Sequence, residues 1–243
     1  MGEAESMTQT QFPDLHRKFN KAIEQYQMVV PGDRVIIAVS GGKDSYTLFD
    51  LFCRYKDTLF AEVKFLVVTV QTDITCSGSI PQSVIKKQAD ECGMEYEVIY
   101  FPISEEAGRK KVDCFYCALR RRTALIKRAF QSNFNRIAFG HHLDDIVETT
   151  IMNQMHHANI STMPPRIDLF DGKLAIIRPL ATTFEFEARD YANAVTFVPP
   201  KCRCPGLDVS TRRDTKEFLS ALEEVEPNVK ANFYKAMERL GSA

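Results

Sequence analysis

The chain has 243 residues, 44% apolar and 26% charged. These are ordinary values for a globular domain and exclude collagen-like, low-complexity and disordered chains. With 31 Lys+Arg against 32 Asp+Glu the net charge is -1, so any contact with nucleic acid has to come from a local basic face. No apolar run reaches the roughly 20 residues of a membrane-spanning helix, and residues 1–12 lack the basic and apolar regions of a secretory signal. A cytoplasmic chain with its seven cysteines as thiols is expected, and no membrane partner.

Leu15, Phe19, Ile23 and Tyr26 share one stripe and predict a helix over 12–28, broken at Pro31-Gly32-Asp33. Residues 34–39 form a β-branched apolar run suited to a buried strand. A Ser40-Gly41-Gly42 turn and a helix over 44–55 follow. The alternation continues with strands over 63–70, 96–101 and 136–139 and helices over 81–92, 116–130 and 144–155. Strands alternating with helices predict an α/β fold, a parallel sheet sandwiched by helices. Ligands of such folds sit outside the carboxyl ends of the strands. Beyond residue 158 prolines punctuate the chain; a short strand over 174–177 and helices over 185–194, 215–224 and 228–240 are expected. There is no internal repeat. The expected division is an N-terminal helical extension over 1–30, a core domain over 31–205 and a C-terminal helical extension over 206–243.

Three motifs carry chemistry. The first is Ser40-Gly41-Gly42-Lys43-Asp44-Ser45, between a strand and a helix. Glycines without Cβ let backbone amides converge on an anion, and the positive end of the following helix adds to them. Ser40 and Ser45 can donate to phosphate oxygens and Lys43 supplies a cation. The loop is too short for G-x-x-x-x-G-K-[ST]. The second motif is Gly140-His141-His142-Leu143-Asp144-Asp145 at a strand end. Its carboxylates can hold Mg²⁺ or orient a substrate; an N-capping Asp beside a satisfied His pair is the plainer reading. The third is Cys114-Phe-Tyr-Cys117 with the distant Cys202-Arg-Cys204, a donor set for zinc or an iron–sulfur cluster. Basic residues flank it: Lys110 and Lys111 before, Arg120, Arg121 and Arg122 after, with Lys127 and Arg128 beyond. Phosphates of RNA need such a surface, and Phe115 or Tyr116 can stack on a base. A solvated helix face explains the same charges without RNA.

The SGGxDS loop resembles the PP-loop of the ATP pyrophosphatase superfamily, whose members cleave ATP between the α and β phosphates. S-G-G-K-D-S-Y-T at 40–47, C-x-x-C-x-x-x-R-R at 114–122, G-H-H-x-D-D at 140–145, Met163-Pro-Pro165, Ile177-Arg-Pro-Leu180 and the late cysteine pair occur in order. Together they resemble the TtcA-type tRNA 2-thiocytidine synthetases over about residues 30–205. The resemblance implies a PP-loop catalytic domain that binds ATP and Mg²⁺. It implies Ser40, Gly41, Gly42, Lys43, Asp44, Ser45, His141 and Asp144 as nucleotide-binding residues, and Lys43, Asp44, Asp145 and Arg121 as catalytic ones. It implies a [4Fe-4S] cluster on Cys114, Cys117 and a third cysteine. The family's late pair is C-x-x-C with the first cysteine as ligand; here it is C-x-C, which favours Cys202 with Cys204 as the rival. The implied reaction adenylates O2 of a tRNA cytidine at position 32 and replaces it with sulfur. Arg120, Arg122, Lys110 and Lys111 would contact the RNA, a cysteine desulfurase would supply sulfur, and a homodimer is compatible with the family. Two readings stand beside it. One is another PP-loop tRNA ligase, of thiouridine or lysidine type, with a structural zinc or no cluster. The other is a non-catalytic nucleotide- or RNA-binding protein.

Overall fold

The computed structural model describes residues 8–73, 80–104, 114–196 and 211–241. The elements in chain order are α1 (Pro13–Gln25), β1 (Arg34–Ala38), α2 (Lys43–Tyr55), β2 (Lys64–Thr72), α3 (Gln82–Glu91), β3 (Glu95–Phe101) and α4 (Cys114–Gln131). There follow β4 (Arg136–Ala138), α5 (Leu143–His157), β5 (Arg166–Leu169), β6 (Leu174–Ile177), α6 (Glu185–Val195), α7 (Thr211–Val225) and α8 (Val229–Arg239).

The six strands form one sheet in the order β3-β2-β1-β4-β6-β5. All neighbours pair in parallel except β5 and β6, which are antiparallel with Arg166 opposite Ile177 and Leu169 opposite Leu174. The parallel sheet expected from the sequence is present, with one antiparallel strand added at this edge. Residues 166–169 are too short and too charged to stand out as a strand; β6 is buried along its length and offers them a ladder.

From β1 the chain winds outward through β2 to β3, then returns to lay β4 on the other side of β1. The winding reverses between β1 and β4, so the loops leaving these two strands diverge there and open a crevice. Val35, Ile37 and Val39 pack on one face of the sheet with α1, α2 and α3. Ile36 and Ala38 pack on the other with Ala124, Leu125 and Ala129 of α4. A third apolar cluster joins Leu143, Ile146, Val147 and Ile151 of α5 to Leu219 of α7 and Tyr234 of α8.

Helix α1 is anchored by Leu15, Phe19, Ala22 and Ile23, all buried. Phe19 meets the rings of Phe52, Tyr55 and Phe60. A buried polar knot sits beside it. The Asp50 carboxylate accepts from Tyr191 Oη, Arg54 Nε and Gln88 Nε2, each at 2.6 Å, and so ties α2 to α3 and α6. The expectation that every cysteine is a thiol fails at one pair. Cys53 of α2 and Cys92 after α3 both face the core between these helices, with Cα atoms 5.6 Å apart, and are joined in a disulfide.

Candidate active site

The phosphate loop runs from the carboxyl end of β1 to the first turn of α2. Gly41 has φ +84°, a backbone that side chains resist, which accounts for a glycine there. Ser45 Oγ accepts from Ser40 N at 3.1 Å and donates to the Gly42 carbonyl at 2.9 Å; the two serine hydroxyls lie 3.1 Å apart. Ile80 N donates to the Gly41 carbonyl at 2.8 Å. The loop is thereby closed by its own serines, and the first amides of α2, which have no partner within a helix, are left for an anion.

The G-H-H loop leaves β4 alongside it. His142 is the N-cap of α5: its Nδ1 accepts from Asp145 N at 3.3 Å, while Asp145 Oδ2 accepts from His142 N at 3.2 Å. A histidine therefore fills the capping place expected for an aspartate. His142 Nε2 lies 3.8 Å from Asp44 Oδ1 and 3.5 Å from Asp145 Oδ2. The His141 ring packs on Phe139, and its Nδ1 has no hydrogen-bond partner among the described residues. Burial, together with the nearby Arg178, Arg122 and Arg212, lowers its pKa to about 4 against the pull of Asp145. Burial also raises the pKa of Asp44, opposed by His142 and Lys43.

Between these loops and α4 lies a cavity of about 270 Å³. Its wall includes Ser40, Gly42, Asp44 and Ser45 from the phosphate loop, His141 and Asp145 from the second motif, and Ala118, Arg121 and Arg122 from α4. Arg121 Nη2 donates to Thr72 Oγ1, at the carboxyl end of β2, at 3.3 Å; its Nε is buried and unpaired among the described residues. Arg122 lies over the Phe139 ring, and Arg120 over Phe101 and Tyr116. Arg128 is taken up by Glu97 of β3, so the basic run is not uniformly available to a partner.

Of the expected nucleotide-binding residues, Gly41, Lys43 and Asp144 do not line this cavity. Lys43 Nζ bonds both Asp44 carboxylate oxygens at 2.9 Å and Glu185 Oε1 at 3.1 Å. Asp144 Oδ1 pairs with Lys230 of α8 at 2.9 Å, and its Oδ2 accepts from Glu185 N at 2.7 Å. Buried Arg178 donates from Nη1 to the Pro164 carbonyl; burial, then Arg122, bring its pKa down to about 10. Sequence reasoning did not assign the contacts by which residues outside the motifs grip the site; Arg212 stood out only as part of a basic pair with Arg213, and Lys216 and Lys230 not at all. Arg212 lies 3.3 Å from Asp145 Oδ1 and 3.6 Å from Glu148 Oε2, Lys216 2.5 Å from Glu185, and Lys230 also 2.7 Å from Glu223. Only tertiary packing brings these charges to the motifs, so no local pattern announces them.

Cys114 opens α4 and Cys117 follows three positions later in the same helix. Cys117 is outside any disulfide. Two cysteines so spaced, next to the cavity wall at Ala118, suit the first two donors of an iron–sulfur or zinc site. The Cys114 side chain, Cys202, Cys204, Lys110 and Lys111 lie outside the described residues. Among the described residues no three His, Cys, Asp or Glu side chains converge as a metal cage. Mg²⁺ on a polyphosphate needs only one or two carboxylates, and Asp44 and Asp145, both on the cavity wall, suit that. Among the described residues no helix is long and apolar enough to cross a membrane.

This fold and loop are those of the PP-loop domain family, which matches residues 13–197. A tRNA-cytidine(32) 2-sulfurtransferase of Stenotrophomonas maltophilia (strain R551-3) is 35% identical over 228 residues, covering 92% of this chain and 76% of the relative. Its counterpart in Actinobacillus pleuropneumoniae (serotype 5b, strain L20) is 32% identical over 231 residues, 93% and 72% of the two chains. The chain belongs to the tRNA-cytidine(32) 2-sulfurtransferase family of PP-loop enzymes. Among solved structures, the U34-tRNA thiolase NcsA from Methanococcus maripaludis with its [4Fe-4S] cluster shares the fold. Its TM-score is 0.76 at 22% identity, over 94% of this chain and 78% of that one.

Proposed function

We propose that this chain is an ATP-dependent tRNA sulfurtransferase that adenylates O2 of a cytidine, at position 32 as in the names of its relatives, and exchanges that oxygen for sulfur. The observation that carries the reading is the single cavity walled on one side by the phosphate loop and on the other by the helix that begins with Cys114 and Cys117. Activation and sulfur delivery need a shared chamber, and a cavity bordered by the phosphate loop and by the helix that carries the cysteines supports that reading.

In this reading the amides at the start of α2 and the hydroxyls of Ser40 and Ser45 hold the phosphates, with Gly41 and Gly42 giving room. Asp44 and Asp145 hold Mg²⁺. The cytidine O2 attacks the α phosphorus and pyrophosphate leaves, which turns a poor leaving oxygen into that of AMP. Arg121 meets the charge that develops on the phosphoryl oxygens. Substitution at C2 then forms the C–S bond as the C–O bond to AMP breaks. Cys114, Cys117 and Cys202, or Cys204 in its place, would hold a [4Fe-4S] cluster, which supplies the sulfur when bound. His141 borders the nucleotide. Asp144 acts one step back, holding α8 and the start of α6. Arg120 and Arg122, with Lys110 and Lys111, form the RNA face. A cysteine desulfurase feeds the sulfur, the working form is a homodimer in the cytoplasm, and the catalytic domain spans 31–205 between helical extensions.

The test is iron and acid-labile sulfide content of anaerobically purified chain, followed by mass spectrometry of tRNA nucleosides after incubation with ATP and a sulfur source. About four irons and four sulfides per chain, with ATP-dependent 2-thiocytidine, are expected. Stoichiometric zinc, or no metal, with ATP-dependent ligation of another group would replace this reading with a different PP-loop ligase. Nucleotide binding without pyrophosphate release would leave a binding protein.

A further inference from the structure

The neighbours of Lys43 on the phosphate loop, Gly42, Asp44 and Ser45, line the cavity, but Lys43 does not. Its ammonium sits between the carboxylates of Asp44 and Glu185. Glu185, the first residue of α6, is shared: Oε1 takes Lys43 at 3.1 Å and Oε2 takes Lys216 of α7 at 2.5 Å. Burial alone would raise the Glu185 pKa, but the bonds from Lys216 and Lys43 hold it at about 2, so the carboxylate is ionised throughout the working range. The backbone of Glu185 is pinned as well, by its N–H to Asp144, which Lys230 holds from α8. The result is a row of alternating charge, Asp44, Lys43, Glu185, Lys216. It starts at the phosphate loop and ends on a helix beyond the residues matched to the PP-loop domain.

We propose that Lys216 is a positioning residue for the nucleotide site, acting through Glu185 on Lys43. A polyphosphate arriving at the loop competes with Glu185 for the Lys43 ammonium. Lys216 satisfies part of the Glu185 charge and so lowers the cost of releasing Lys43. Without Lys216, Glu185 has one cation left and grips Lys43 more firmly. With a neutral amide at 185, Lys43 has only Asp44 to leave, and Lys216 has nothing to act through. The C-terminal helices thereby tune ATP affinity without touching ATP. The inference deepens the phosphate-loop reading and rests on it.

The experiment is calorimetric titration of the full chain with a non-hydrolysable ATP analogue and Mg²⁺, which needs neither cluster nor tRNA. Lys216→Met is expected to weaken binding about two- to fivefold, the range of one partly exposed ion pair. Glu185→Gln is expected to tighten it, and Lys216→Arg to restore the wild-type value. In the double variant Lys216→Met/Glu185→Gln the effect of Lys216→Met should vanish, because its route is gone. Unchanged binding in Lys216→Met, or an undiminished effect of it on the Glu185→Gln background, overturns the proposal. A wild-type chain that binds no nucleotide overturns the phosphate-loop reading instead. Melting temperatures of all variants separate lost folding from lost positioning.

Discussion

Gly140 lies directly against the backbone of Asp44: a Cβ built on Gly140 would stand 2.7 Å from the Asp44 carbonyl oxygen and 2.8 Å from Ser45 N. The loop leaving β4 and the first turn of α2 are thus in contact through a residue with no side chain. Neither backbone can give way without moving the phosphate loop. Gly140→Ala should cost about 1–3 kcal/mol of stability, the usual range for overpacking. It should weaken nucleotide binding more than the stability loss accounts for. Denaturant unfolding and nucleotide titration of the same preparation check this; wild-type values in both would show that the two loops have slack.

Arg121 reaches the cavity from α4 while tethered to Thr72. In its proposed role as a cation that meets charge appearing only in the transition state, it should matter to kcat and little to ATP affinity. Arg121→Ala should lower kcat about a hundredfold, and Arg121→Lys should recover part of the loss. The measurement is pyrophosphate release with tRNA present, at saturating ATP. A change confined to KM would make Arg121 a binding residue.

Cys117→Ser should abolish thiolation and deplete iron, with nucleotide binding intact. Asp44→Ala should do the reverse, leaving the cluster and removing adenylation. The two variants dissect the cavity from opposite sides. Retained thiolation in Cys117→Ser, measured on tRNA nucleosides, would remove that residue from sulfur chemistry.

His16 is buried on α1, with Nδ1 2.9 Å from Tyr55 Oη and Nε2 unpaired among the described residues. Burial, then Arg54, lower its pKa to about 4, against the weaker pull of Asp50. The unfolded chain, with histidine near 6.5, binds the proton more readily than the native one. This contribution to stability is complete above pH 6.5 and is lost as pH falls toward 4. Thermal melting from pH 7.5 to 4 should show a slope in wild type that flattens in His16→Phe. Parallel curves for the two proteins would remove His16 as its source.

Asp50 holds three donors from three helices. Asp50→Ala leaves Arg54, Tyr191 and Gln88 short of an acceptor in the interior. It should cost about 3–5 kcal/mol, as for a broken buried pair. Equilibrium denaturation measures it, and a cost under about 1 kcal/mol would show that water replaces the carboxylate freely.

The sheet was largely legible because its central strands carry apolar runs, as in Val35 to Ala38 of β1 and Phe65 to Val68 of β2, and helices with their own stripes alternate with them. Strand β5 escaped because Arg166 and Asp168 interrupt four residues that follow two prolines, and only pairing with β6 makes them a strand. The first turn of α7, Thr211 to Asp214, is polar and carries no stripe. The site was legible where its residues are contiguous, at 40–45 and 140–145. It was not legible where residues far apart meet. Nothing beside Lys43 in the sequence indicates that its partner is Glu185, and nothing beside Asp144 indicates Lys230. The disulfide between Cys53 and Cys92 is of the same kind, a product of how α2 packs on α3.

The cap on α5 reaches beyond the helix it begins. Because His142 Nδ1 accepts the Asp145 amide proton, the neutral imidazole must carry its own proton on Nε2. That nitrogen is the one turned toward Asp44 and the Asp145 carboxylate. A hydrogen bond made to start a helix thus selects the tautomer of the histidine between the two motifs and aims its N–H at the acids.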